Sequence, residues 1–214
     1  GIVCLNRGTG DLIWELTDDT WNEKIYDDKI LLESLRNDRS YYRLIDGRTG
    51  EVIWEENAFE VKYPVYRDGV LYFLRVAENA FVSMNVKNRK EWSHSHDNTL
   101  GHVEVFKDRI LLVLFDSERM VLHSLVLLRN TGSEIWEYIY PEKITWEFGC
   151  IMNGKLLGGI LFIVREGGIA EAFDVENGEK LWEIEAKGTE ITGFEVFEKR
   201  IYLSANDGRL YCLD

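Results

Sequence analysis

Five of the seven tryptophans in this chain return at a nearly even interval, and four of them close the same short phrase. The phrase reads Thr9-Gly10-Asp11-Leu12-Ile13-Trp14, Thr49-Gly50-Glu51-Val52-Ile53-Trp54, Thr131-Gly132-Ser133-Glu134-Ile135-Trp136 and Asn177-Gly178-Glu179-Lys180-Leu181-Trp182. A worn copy, Lys87-Asn88-Arg89-Lys90-Glu91-Trp92, places Asn88 where the others have glycine. Asparagine is the side chain that best tolerates a left-handed backbone, so the turn is expected to survive there. The steps between successive repeat tryptophans are 40, 38, 44 and 46 residues. A period of this size means one supersecondary unit per repeat, each burying its apolar face against the next. The intervals hold β-rich runs parted by tight turns, for example 60–66, 70–76 and 81–86 before Trp92. No stretch has the length and 3.6-residue period of a helix. The expected fold is all-β, a propeller of four-stranded blades.

The phrase extends backwards. Residues 172–182, Ala-Phe-Asp-Val-Glu-Asn-Gly-Glu-Lys-Leu-Trp, fit the pattern A-x-D-x-x-T-G-x-x-x-W closely. Residues 4–14 and 44–54 keep Asn6 or Asp46 with the Thr-Gly and the Trp, 126–136 lacks the Asp, and 82–92 lacks the Thr and Gly. In this pattern the chain resembles the PQQ-like (quinoprotein-type) β-propeller repeat family, over essentially its whole length. The resemblance implies that a strand C runs through the turn into an outer strand D. Glycine would supply the positive φ of that turn, Asp or Asn would accept its backbone N–H groups, and the tryptophan would lie flat between neighbouring blades. Trp14, Trp54, Trp92, Trp136 and Trp182 are therefore expected to be structural fasteners, with Trp54 and Trp182 the most costly to remove. A glutamate follows at 15, 55, 137 and 183, which alternation places on the opposite side of each outer strand as an acidic girdle discouraging edge-to-edge pairing.

The first residues, 1–6, read as a strand C, and 208–214 read as the same strand again, with Cys212 aligned to Cys4. The expectation is a single domain over residues 1–214, five blades closed by one shared between the termini and carrying a surplus strand. A piece of a larger propeller is the alternative.

Charge excludes one class of partner. Twenty-five Lys and Arg against 38 Asp and Glu give a net charge of −13, a field that repels nucleic acid and points to a basic protein partner. No run of about 18 apolar residues offers a membrane-spanning helix. Three cysteines, at 4, 150 and 212, are odd in number and far from zinc-ligand spacing. Unpaired cysteines and the lack of a visible signal peptide favour a cytoplasmic location.

The resemblance would imply PQQ chemistry, held in related dehydrogenases by a Ca²⁺ site, a catalytic Asp, an Arg, a stacking Trp and often adjacent cysteines. None of these can be placed on a residue here. No cofactor, metal or catalytic residue is assigned, and the chain is read as a non-enzyme. His94 and His96, at i and i+2, with His102 beyond, form the most metal-like cluster, but a solvated loop leaving strand D accounts for them.

Binding is expected on the face carrying the D–A and B–C loops, since the opposite face holds short turns, taken as 27–28, 68–69, 107–108, 153–154 and 198–199. Arg36 and Arg165 lie in its loops. Counting back from the turns places Trp21 and Trp146 in one slot at the start of strand A, at the channel mouth. They are candidate partner-binding aromatics or stacking platforms, with packing under the loops as the plainer reading. The expected function is a non-catalytic module binding protein. The alternatives are a sugar or small ligand at the mouth around Trp21, Trp146 and Arg165, and a residual quinoprotein or metal enzyme.

Overall fold

A computed structural model describes residues 1–141, 151–165, 168–185, 191–197 and 200–213. The chain divides into two compact units, Gly1–His96 and Asp97–Asp214. The first holds β1 (Ile2–Leu5) and β2 (Leu12–Leu16) as a two-stranded sheet. It continues with β3 (Asp19–Tyr26), β4 (Lys29–Arg36), β5 (Arg39–Asp46) and β6 (Val52–Asn57), then β7 (Val61–Arg67), β8 (Val70–Arg75), β9 (Ala80–Asn85) and β10 (Glu91–Ser95), as two four-stranded sheets. The second unit holds β11 (Thr99–Val105), β12 (Arg109–Asp116), β13 (Val121–Leu128) and β14 (Glu134–Ile139). Its next sheet is β15 (Ile151–Leu157), β16 (Ile160–Arg165), β17 (Ile169–Asp174) and β18 (Lys180–Glu185), and a three-stranded sheet of β19 (Ile191–Phe197), β20 (Arg200–Ala205) and β21 (Leu210–Leu213) follows. Every sheet is antiparallel and takes its strands in chain order. Among the described residues there are 21 strands, one more than five four-stranded blades use. No helix there is long and apolar enough to cross a membrane.

Side-chain patterns explain the layering. Middle strands such as β12, Arg-Ile-Leu-Leu-Val-Leu-Phe-Asp, are apolar almost throughout because both faces are covered. Outer strands alternate, as in β10 and β14, because one side meets solvent. Within the first unit Leu31, Leu44 and Trp54 pack on Val61, Leu71, Phe73 and Val82. Within the second, Leu111, Val126 and Trp136 pack on Leu161, Ile163 and Phe173. Each such side chain contributes about 1.5–3 kcal/mol by leaving water.

The repeat turn works as the motif implies. Asp46 Oδ1 accepts the N–H of Arg48 at 2.9 Å and of Thr49 at 3.1 Å, and Asn6 and Asp174 do the same for their own turns. The tryptophan side of the joint is more specific than expected. Trp14 Nε1 donates to Gly47 O of the following sheet at 3.0 Å, and Trp136 Nε1 to Val175 O at 2.8 Å. The rings lie so close on the next turn that a Cβ at Gly178 would sit 2.6 Å from Trp136, and one at Gly50 2.9 Å from Trp14. These glycines serve contact as well as φ. Trp54 and Trp136 are buried, whereas Trp14, Trp92 and Trp182 are half-buried, so Trp136 rather than Trp182 ranks beside Trp54.

Three readings of the sequence need correction. In the worn copy the positive φ belongs to Arg89, at 59°, not to Asn88. Asn88 takes the threonine's place, its Oδ1 accepting Lys90 N–H at 3.0 Å as Thr49 Oγ1 accepts that of Glu51. The one-residue offset arises because the other outer strands bulge at Ile13, Ile53, Ile135 or Leu181, whereas β10 pairs with β9 without a bulge. The β15–β16 turn is Gly158-Gly159, both at positive φ as a tight hairpin requires, and not Asn153-Gly154. Gly154 instead lies within β15, where a Cβ would come 3.1 Å from Leu111 of the neighbouring sheet. The expected turn at 198–199 lies outside the described residues. Finally, the acidic girdle is in part paired: Glu55 binds Arg36 and Arg43 at 2.7 Å each, Glu183 binds Lys180 at 2.6 Å, and Glu137 shares a hydrogen bond with His123 at 2.6 Å.

Candidate binding groove

Each first strand of a three- or four-stranded sheet carries a bulge that the sequence pattern did not reveal. In the second unit the extra residue is single: Gly101, Met152 or Thr192. In the first unit two residues are extra, Asn22 and Glu23 in β3, Tyr63 and Pro64 in β7. Asn22 and Tyr63 are held at φ 54° and 53°, which asparagine tolerates but which is unfavourable for the aromatic Tyr63.

A cleft of about 350 Å³ opens between these two bulges, lined among others by Asn22, Leu31, Glu33, Tyr42, Tyr63 and Pro64. It runs into a second hollow of about 270 Å³ that shares Glu33, Tyr42 and Tyr63 and reaches Ala58, Phe59 and Lys62. Ladder register explains the lining. Trp21, Glu33, Tyr42 and Glu56 are paired in one row across β3, β4, β5 and β6, so they share a face. Phe59 is 76% exposed on a loop that is nonetheless fixed: its N–H bonds Asn57 Oδ1 at 2.9 Å, and Ala58 N–H bonds Ser40 O at 3.0 Å.

Glu23, Lys24, Glu33 and Lys62 are the charged residues lining the groove, and among the described residues they form no ion pair with one another. Glu33 is half-buried, and its hydrogen bond among the described residues comes from the neutral amide of Asn22, at 3.3 Å. Burial and the Glu60 carboxylate raise the pKa of Glu56. Burial, then the charge on Glu33, then Tyr63 raise that of the Tyr42 hydroxyl, which stays a proton donor at neutral pH. Among the described residues no cation pairs with Glu33 or Glu56, whereas Glu55 on the opposite face of the same sheet holds two guanidinium groups.

The residues singled out from sequence are scattered. Trp21 stands opposite Glu33 and is 36% exposed, beside the groove. Trp146 lies outside the described residues. The slot that equated it with Trp21 rested on the misplaced 153–154 turn; the same count from Gly159 reaches residue 152. Arg36 pairs with Glu55 and lies over Tyr41, 5.1 Å from the ring centre. Arg165 is buried, not presented at a loop mouth: it grips Glu171 at 2.8 and 3.2 Å and lies 4.4 Å above Tyr140. His94 is in β10 and His96 just beyond it, both half-buried rather than solvated. His102 pairs with Glu104 at 3.1 Å. Among the described residues no three His, Cys, Asp or Glu side chains gather as a metal site.

Sequence reasoning missed Glu33, Tyr42, Tyr63 and Ala58. A usable signal existed at the fourth residue after each repeat tryptophan: Asp18, Ala58, His96, Tyr140 and Ala186, the last lying outside the described residues. Ala58, His96 and Tyr140 each bond back through their N–H to the start of a strand C, at Ser40, Asn79 and Leu122. Asp18 pairs with Arg43, and Tyr140 is fully buried, its hydroxyl 3.0 Å from Ser124 Oγ. Only a methyl group stands at Ala58, where the groove opens.

No curated protein matches this chain. Among solved structures it is similar to BamB from Moraxella catarrhalis, 15% identical over 98% of this chain and 75% of that one, with a TM-score of 0.45. The computationally designed Ika8 protein is 12% identical over 96% of this chain and 74% of its own, with a TM-score of 0.55. The quinohemoprotein alcohol dehydrogenase of Comamonas testosteroni is 14% identical over 92% of this chain, with a TM-score of 0.62, but only 42% of the dehydrogenase is covered. At such identities the likeness is one of fold, and this chain spans less than half the enzyme's length. The family profile described as outer membrane protein assembly factor BamB matches residues 1–214. The chain therefore belongs to the BamB-like family of PQQ-repeat β-propellers.

Proposed function

We propose that the chain is a non-catalytic binding module whose ligand is a protein, engaged through the groove and aromatic rim of the first unit. Family membership supports a protein-interaction scaffold in general. The observation that carries the finer reading is the display of Phe59 and Tyr63, 76% and 43% exposed, beside a cleft, with Phe59 on a hydrogen-bonded loop. Fixed, exposed aromatics next to a pocket are what interface hot spots are made of. The net charge of −13 supports a basic partner, drawn in by long-range attraction.

A saccharide is the second reading, because Tyr42 and Tyr63 offer ring surface beside the Glu33 carboxylate. The test is affinity capture from extract, identification of the captured protein, and kinetics with that purified protein. Association should slow as ionic strength rises, and Phe59→Ala or Trp21→Ala should each cost about 2 kcal/mol. Binding indifferent to both changes excludes this face. Saturable binding of a free sugar, abolished by the same changes, transfers the site to carbohydrate, and quinone-dependent dye reduction refutes the non-enzyme reading.

A further inference from the structure

The groove has a shape, and in Glu33 a carboxylate without an ion pair among the described residues, that together specify more than "protein". Its walls combine apolar surface, from Leu31, Ala58 and Pro64, with the rings of Tyr42 and Tyr63, and its one carboxylate shared by both hollows is Glu33. A half-buried carboxylate beside aromatic rings, with no internal cation among the described residues, is complementary to a compact positive charge. The other inward carboxylates of this chain show what they take when a partner is supplied: Glu55 takes Arg43 and Arg36, and Glu171 takes Arg165 and Lys180. Glu23 lines the first hollow beside Lys24, and Arg75 and Arg89 act on the flanking Glu56, so the carboxylate left without a cation within ion-pair distance among the described residues is Glu33. Lys24 and Lys62 stand exposed at the edges, outside ion-pair distance of Glu33.

The geometry points to a lysine pocket: the groove that Ala58 leaves open receives the ammonium group of a lysine projecting from an extended segment of the partner, against Glu33 and between Tyr42 and Tyr63. The inference rests on the reading of this groove as a protein-binding site. A lysine suits it better than an arginine because a flexible four-carbon stem can lie along Leu31 and Pro64 while a point charge reaches a single carboxylate. A guanidinium would seek a two-oxygen fork, and one oxygen of Glu33 already holds Asn22.

The test uses the full chain and the acetylated, amidated pentapeptide Gly-Ser-Lys-Ser-Gly, followed by amide chemical shifts in NMR titration. Saturable shifts are expected at Glu33, Tyr42 and Tyr63. Glu33→Gln should weaken binding by roughly tenfold, as loss of a charge partner beside aromatic rings requires. Ala58→Tyr, which installs the ring present at Tyr140, should abolish binding while the melting temperature holds. Three results would overturn the pocket: equal binding of the Nε-acetyl-lysine or arginine peptide, unchanged binding in Glu33→Gln, or tighter binding of spermidine than of the peptide. The two levels separate cleanly. A captured protein that needs Phe59 but ignores Glu33→Gln refutes the lysine pocket and leaves the proposed function standing, whereas indifference to Phe59, Trp21 and Glu33 together removes both.

Discussion

Four residues beyond the repeat tryptophan, the second unit carries Tyr140 and the first carries Ala58. Around Tyr140 the space between sheets is closed. Its ring meets Tyr138 edge-on at 5.0 Å, Arg165 covers it, and Glu171 is held by Arg165 and by Lys180. Burial pushes the Tyr140 hydroxyl and the Glu171 carboxyl upward in pKa. Burial works against the Lys180 ammonium, yet its bonds to Glu183 and Tyr138 hold its pKa above that of a free lysine. Around Ala58 the same register holds Glu33, Tyr42 and Glu56 over an open cleft. One backbone plan thus yields a filled joint whose charges are paired and an open one whose Glu33 has no ion pair among the described residues, according to a single side chain and its row of neighbours. On the proposed reading, the binding site is where packing is withheld.

The largest effects should separate the two joints outright. Tyr140→Ala removes a buried ring and strands Ser124, and should cost roughly 3–5 kcal/mol in urea melts. Ala58→Tyr should stay within about 1 kcal/mol, since it fills existing space; a loss of several kcal/mol would show that the two positions are not equivalent. Trp54→Ala and Trp136→Ala belong in the upper range with Tyr140→Ala, and Trp92→Ala and Trp182→Ala below them. Glu171→Gln leaves Arg165 buried without its charge partner and should cost about 3 kcal/mol, whereas Glu33→Gln should shift stability by no more than about 0.5 kcal/mol. Equal losses at the two glutamates would mean that Glu33 has a cation after all.

The smallest effect concerns acid. Hydrogen bonds from the Arg48 N–H, Lys29 and the Thr49 N–H lower the pKa of Asp46. A carboxyl lowered in the folded state adds stability above its unfolded value near ~4, and that contribution is lost as pH falls through the folded value. Asp46→Asn keeps the turn, as Asn6 and Asn85 do in theirs, and should flatten the dependence of melting temperature on pH between about 5 and 3. An unaltered slope would mean that the charge on Asp46 plays no part in the acid response.

What the sequence made legible was local. Strand alternation, the Asx turn around Asp46 and the repeat period are each written within about a dozen residues. The strand-A bulges and the Ala58 gap are not, because they answer to the neighbouring sheet. Asn153-Gly154 shows the same divide. As a dipeptide it reads as a hairpin turn, but Leu111 of the adjacent sheet needs the room that Gly154 gives, and Gly158-Gly159 turns the chain instead. Trp21 could be found as an aromatic out of period; Glu33 resembled any exposed strand glutamate until its row and its missing counter-charge were visible. The proposal for protein binding rests on that second kind of information.

The tryptophan joint has one more consequence, for ancestry. Trp14 and Trp136 fasten to the carbonyl oxygens of Gly47 and Val175, which are main-chain atoms that any residue but a distorted one presents alike. The hydrogen bond is blind to the side chain on the carbonyl residue, while the ring still requires the glycine of the next turn, Gly50 or Gly178. A repeat copied and inserted elsewhere along the chain would find its latch already waiting, and the residues around the carbonyl could then drift, as Leu128 has replaced the turn aspartate while its turn keeps the Gly132 N–H bond at 2.8 Å. Such a joint lets a gene grow by duplication first and diversify afterwards, with new surfaces such as the Ala58 opening arising in one copy at no cost to the fastening of the rest.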